Sequence, residues 1–181
     1  MKHDRILKIS IAGVLIAIGI IIPMISPFKI IIEPASYTLA SHVVIFLAMF
    51  ISPAMALAVA FGTAAGFFLG GFPLVVVFRA LSHMVFAGGG AFYLKHTKTE
   101  MTAVKLRVFS LVIALVHAVC EVIVSSIFYF GQGVVDMNRF IFLVILLVGV
   151  GTIIHSLVDF EITLLIRKPL IRQRALREII K

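Results

Sequence analysis

The sequence predicts an all-α integral membrane protein with six transmembrane helices and both termini in the cytoplasm. Three observations carry this expectation. Of 181 residues, 62% are hydrophobic and only 13% charged, with a mean hydropathy of +1.20, whereas soluble domains carry roughly 25% charged residues. Apolar runs of near-spanning length cover most of the chain. The lysines and arginines gather at the ends of those runs, so the net charge of +8 reports topology, not a nucleic-acid face. The length suits one domain, residues 1–181, with no room for a soluble catalytic unit. Cys120 stands alone, which excludes a disulfide framework or a cysteine metal cluster.

The first span, residues 7–26, makes a helix of about 30 Å, enough to cross. Its basic opening resembles a signal peptide, but no small-x-small cleavage pattern precedes Pro23, and a retained helix is expected. Residues 28–36 form a β-branched run between prolines, too short to span. They are expected as an extended loop or hairpin capping the outer face. The second and third spans, 37–51 and 54–70, end at Ser52-Pro53 and Gly70-Gly71. Both are short, so they cross only if upright or with the break between them buried in protein. Merging them into one re-entrant hairpin gives a four-span alternative of the same parity.

The fourth span, 73–94, opens at Pro73, a residue suited to a first helical turn. A polar loop over 95–105 leads to the fifth span, 107–130, and turn residues over 131–138 lead to the sixth, 139–165. Residues 168–181 read as a basic amphipathic cytoplasmic tail at the membrane surface. With six spans, the basic groups before the first span, between the fourth and fifth, and after the sixth share one side. Only Lys29 and Arg139 face the other, which places both ends in the cytoplasm.

Arg79 and His83 interrupt the fourth span four residues apart, hence on one helical face. A guanidinium near the bilayer centre costs roughly 2.5–3.5 kcal/mol on insertion scales, and a chain tolerates it where it has a partner, a wet cavity or an anion to hold. Counting about 1.5 Å per residue from the outer ends puts Arg79 and Glu121 at depths of roughly 9 and 13 Å. His83 and His117 each follow one turn deeper, so antiparallel helices pair Arg79 with Glu121 and His83 with His117. Two readings stand: an internal ion pair that satisfies itself, or an outward-facing pocket whose Arg79 receives an anion, a role for which arginine suits a carboxylate bidentately.

Tyr37, Tyr129, Ser125, Ser126, Gln132 and Asn138 fall near the outer ends, where a pocket would be lined. Phe78, Phe86 and Tyr129 are candidates to stack on a compact ring. His42 reads as a satisfied core histidine, and His155, Asp159 and Glu161 as partners of inner basic residues. Small residues on the first helix, Ala12, Gly13 and Ala17, and on the third permit close packing internally or against a partner. No zinc-protease, phosphate-loop or nucleophile-elbow motif stands in a plausible context, and no internal repeat is present. No cofactor and no metal are expected.

Residues 37–53 (YTLASHVVIFLAMFISP) and 73–87, with Arg79, Ser82 and His83, sit in a six-span chain with a capping loop. Together these features resemble the substrate-binding S components of energy-coupling factor vitamin transporters. The resemblance covers essentially the whole chain. It implies a membrane-embedded binding subunit, not an enzyme, with a pocket opening outward. Its partners would be a transmembrane coupling subunit and two cytoplasmic ATPases, and the bound component would topple in the membrane to release its vitamin. Such proteins dock through an Ala-x-x-x-Ala pattern on the first helix. Here Ala12 is followed four residues later by Ile16, and only Gly13 and Ala17 keep the small-xxx-small form. A buried guanidinium favours a carboxylate vitamin, niacin or pantothenate, and the chain resembles the family's niacin-type members more than its pantothenate-type ones. Two other classes remain, a small intramembrane enzyme using His83, His117 and Glu121, and a ligand-free structural membrane protein.

Overall fold

The computed structural model describes residues 2–32, 35–97, 101–131, 133, 136–173, 176 and 179–180. Helix α1 (Lys2–Ile25) leads into strands β1 (Lys29–Ile32) and β2 (Ala35–Thr38), followed by α2 (Val43–Met49), α3 (Pro53–Leu69), α4 (Leu74–His96) and α5 (Ala103–Phe130). The last helix, α6, runs over Met137–Leu170 and winds as a wider π-helix over Ile141–Val150. Four of these, α1, α4, α5 and α6, are long and apolar enough to cross a membrane, and α3 is a shorter apolar helix. The protein is an all-α membrane protein with one small hairpin.

That hairpin is the expected cap. β1 and β2 pair antiparallel, Lys29 opposite Thr38 and Ile32 opposite Ala35. β1 is exposed throughout, whereas Ala35 and Thr38 of β2 turn inward. Tyr37 pins the hairpin to α6: its hydroxyl donates to the Leu147 carbonyl and, at 3.3 Å, to that of Val148. Gly151 makes room for the ring, because a Cβ there would collide with the Tyr37 phenol.

The second expected span is corrected. Residues 37–42 are not helical, and α2 is only seven residues long, about 10 Å. The cause is Asp159 on α6. Its carboxylate accepts the Ala40 N–H at 2.8 Å and the His42 N–H at 2.9 Å, which draws the chain into a turn with Ala40 at φ 68°. A non-glycine residue in that region costs on the order of 1–3 kcal/mol, and the buried carboxylate offsets it. Every residue of α2 is buried, so its missing turns never face lipid, as backbone in a bilayer requires.

Below α2's first turn the core is aromatic. Phe46 packs edge-on against Phe160 at 5.3 Å and lies 5.7 Å from Phe86. At the far end Arg167 stacks over Phe50, 4.6 Å from the ring centroid. The tail also closes this end, since Leu176 and Ile179 pack on the core and Ile180 is buried. The small residues of α3 receive α1. Ile16 sits over Gly62, where a Cβ would come within 2.6 Å of it, and Ile20 over Gly66. Gly13 and Ala17 instead face outward, and Ala12 touches the core.

Replacing Gly151 with leucine is predicted to displace Tyr37 and cost about 1–3 kcal/mol by overpacking. A lowered unfolding midpoint in detergent is the expected readout; an unchanged midpoint would show that the phenol does not rest on this glycine.

Candidate ligand-binding site

Beneath the hairpin lies a cavity of about 540 Å³. Lys29, Ile31, Ser36 and Tyr37 roof it, Phe67, Phe72, Val75 and Val76 supply an apolar wall, and Arg79, His42, His83, His117, Glu121, Thr152 and His155 form its polar floor. Helices α4, α5 and α6 each contribute one turn to that floor, and His42 joins it from the turn just before α2.

Glu121 is its centre. The carboxylate is 4% exposed, and a lone buried carboxylate is untenable, so its partners are decisive. Arg79 donates from Nε to Oε2 at 3.0 Å and also from Nη2. Thr152 donates its hydroxyl to Oε2 at 2.9 Å, and His83 Nε2 lies 3.1 Å from Oε1. Three helices thereby meet on one carboxylate. The depth argument from sequence anticipates this pairing: Arg79 meets Glu121, and the His83 and His117 rings lie 4.7 Å apart.

Asp159 anchors the other side. Beyond the two backbone N–H groups, its Oδ2 stands 3.2 Å from His42 Nδ1 and 3.4 Å from His155 Nε2. The expectation that His155 and Asp159 pair with inner basic residues is therefore corrected, whereas His42 is a buried histidine satisfied by Asp159 that also lines the cavity. Glu161 does meet an inner basic residue, Arg107, at 3.4 Å on the exposed surface. His42 sits at the hub: His83, His117 and His155 surround it with ring centroids 4.7, 4.7 and 4.9 Å away.

His117 differs from its neighbours. It is fully buried, and neither ring nitrogen makes a hydrogen bond, although Nε2 stands 3.5 Å from Glu121 Oε1 in poor geometry. Each unmet buried polar atom costs about 1–3 kcal/mol. One nitrogen each from His42, His83 and His117 lie within 4.8 Å of one another, a spacing a metal ion can bridge; His42, His155 and Asp159 form a second such group. No sequence spacing announces either, because the members come from different helices.

Tyr37 lines the cavity and leans on His155, centroids 5.4 Å apart. Burial pushes its phenol above the ordinary range, so the hydroxyl stays a donor. Other candidate lining residues lie elsewhere. Ser125 is buried without a hydrogen-bond partner and outside the cavity lining. Ser126 bonds back to the Val122 carbonyl. Tyr129 donates to the Asp136 carbonyl at the end of α5, and Asn138 is exposed. Gln132 lies outside the described residues. Phe86 supports the floor from below, 4.5 Å from the His117 ring, while Phe78 faces outward against Phe128. The aromatic rings that line the cavity, Tyr37, Phe67 and Phe72, include two phenylalanines that no feature of the sequence singles out.

The floor can receive a small anion at Arg79 and hold a ring among aromatic and imidazole groups. Among known proteins, the niacin transporter NiaX of Lactococcus lactis subsp. cremoris (strain MG1363) is 37% identical over 166 residues, spanning 90% of this chain and 74% of its own length. No family model matches the chain, and no solved structure matches it.

Asp159→Ala is predicted to cost about 3 kcal/mol, because it strands the buried His42 N–H and the half-buried Ala40 N–H and frees the strained turn at Ala40. Glu161→Ala, which removes only a surface pair, is expected to leave the unfolding midpoint unchanged. Equal melting of the two variants would refute the role given to Asp159.

Proposed function

The chain belongs to the niacin-transporter family of NiaX, and we propose that it is the membrane-embedded subunit that captures niacin for uptake. One observation carries the reading: Arg79, 5% exposed, sits on the floor of a cavity of about 540 Å³ walled by aromatic side chains. Niacin is a flat pyridine ring bearing one carboxylate. Its carboxylate pairs with the guanidinium, in competition with Glu121, and its ring lies against Tyr37, Phe67 and Phe72. That NiaX is a niacin transporter is what favours niacin over pantothenate.

The positive-inside pattern supports cytoplasmic termini, and with them a cavity that opens outward beneath the hairpin. On that orientation the chain crosses six times. The passage through α2 is completed by the turn over 39–42, buried in protein. The chain binds and does not convert its ligand. In keeping with the resemblance to energy-coupling factor S components, a transmembrane coupling subunit and two cytoplasmic ATPases power transport. Gly13 and Ala17, outward on α1, offer a close-packing stripe for docking.

Two ligands and two proteins test this. Nicotinate is expected to bind the wild-type protein in detergent at least about 100-fold tighter than neutral nicotinamide, or roughly 2.7 kcal/mol. In Arg79→Ala the nicotinate affinity falls and the difference between the ligands collapses. Equal loss for both ligands, or nicotinate binding unchanged by the substitution, would remove Arg79 from the site.

A further inference from the structure

The niacin reading uses Arg79 and the aromatic wall but leaves the histidines at the floor without a task. Three of them form a near-equilateral set. The rings of His42, His83 and His117 lie 4.7 Å from one another in all three pairs, and one nitrogen from each falls within 4.8 Å of the others. All three are buried, and His117 has no hydrogen bond at either nitrogen. Each has a carboxylate oxygen near one ring nitrogen: Glu121 Oε1 for His83 at 3.1 Å and His117 at 3.5 Å, and Asp159 Oδ2 for His42 at 3.2 Å. Carboxylates beside metal-bound imidazoles fix their tautomer and orientation.

Charge points the same way. The buried charged residues among those described are Arg79, Glu121 and Asp159. Glu121 and Asp159 thus flank the three rings with two carboxylates, which suits a cation held among them.

We propose that His42, His83 and His117 bind one divalent transition metal, with Zn²⁺ the default for three imidazoles that leave a fourth position open. The open position faces the cavity, where a pyridine nitrogen can coordinate while the carboxylate meets Arg79. That last role rests on the niacin reading; the metal site does not.

The test uses the full chain without a polyhistidine tag, purified in detergent and stripped with EDTA, with Co²⁺ as the visible probe. The wild type is expected to take up one equivalent with the visible absorption of low-coordinate, nitrogen-ligated cobalt. His117→Ala and, in case that variant misfolds, His83→Gln are expected to lose it, and ZnCl₂ but not MgCl₂ is expected to raise the wild-type unfolding midpoint. Nicotinate should shift the cobalt bands and bind the Zn²⁺-loaded protein at least tenfold tighter than the stripped protein. No saturable Co²⁺ uptake, or uptake retained in both variants, overturns the metal site, and nicotinate binding by stripped protein would then leave the niacin reading intact. Uptake of cobalt without nicotinate binding in either form would sink the niacin reading and keep the metal site. Uptake with nicotinate binding but no band shift would overturn only the coordination of the ring.

Discussion

A single buried carboxylate holds the polar half of this protein together. Glu121 receives Arg79 from α4 and Thr152 from α6, with His83 beside it, and all four residues are buried. Breaking such a pair is far more damaging than never having formed it, because the stranded charge stays buried. The three helices that meet there are consequently fixed in depth and rotation relative to one another. That constraint sets a guanidinium at the foot of a cavity and keeps it there.

The cavity itself exists because α2 is short. A full helix over 37–51 would fill the space beneath the hairpin with backbone and apolar side chains. Asp159 prevents this by taking the Ala40 and His42 amides, so the chain arrives at the floor as a turn and only then becomes helical. Below that point α2 packs wholly within the aromatic core; above it, the missing turns leave room for a ligand. Tyr37 then closes the space by reaching across to carbonyls of the π-wound segment of α6, over the bare face of Gly151. Roof and floor both hang from α6.

Close packing divides the apolar work between glycine and isoleucine. Gly62 and Gly66 of α3 take Ile16 and Ile20 of α1, so the first helix is seated largely by its large residues, while Gly13 and Ala17 remain on its outer face. In a bilayer, where lipid is as apolar as leucine, such shape complementarity takes over from hydrophobic burial as the force between helices.

Composition and charge placement alone determine a helical membrane protein with a capping segment after its first helix, because a bilayer permits few other solutions for such a chain. The facing of Arg79 with Glu121, and of His83 with His117, was legible too: α4 and α5 are regular antiparallel helices, so counting residues from their ends measures depth. His42, His155 and Asp159 were not. Nothing local in residues 37–42 marks a turn, since the acceptor that makes it lies more than a hundred residues away. On α6, counting from the end misleads, because this helix is longer than its neighbours and winds differently over its first third. Only the packed helices decided that four imidazoles share one floor, since residues on different helices carry no common period along the chain.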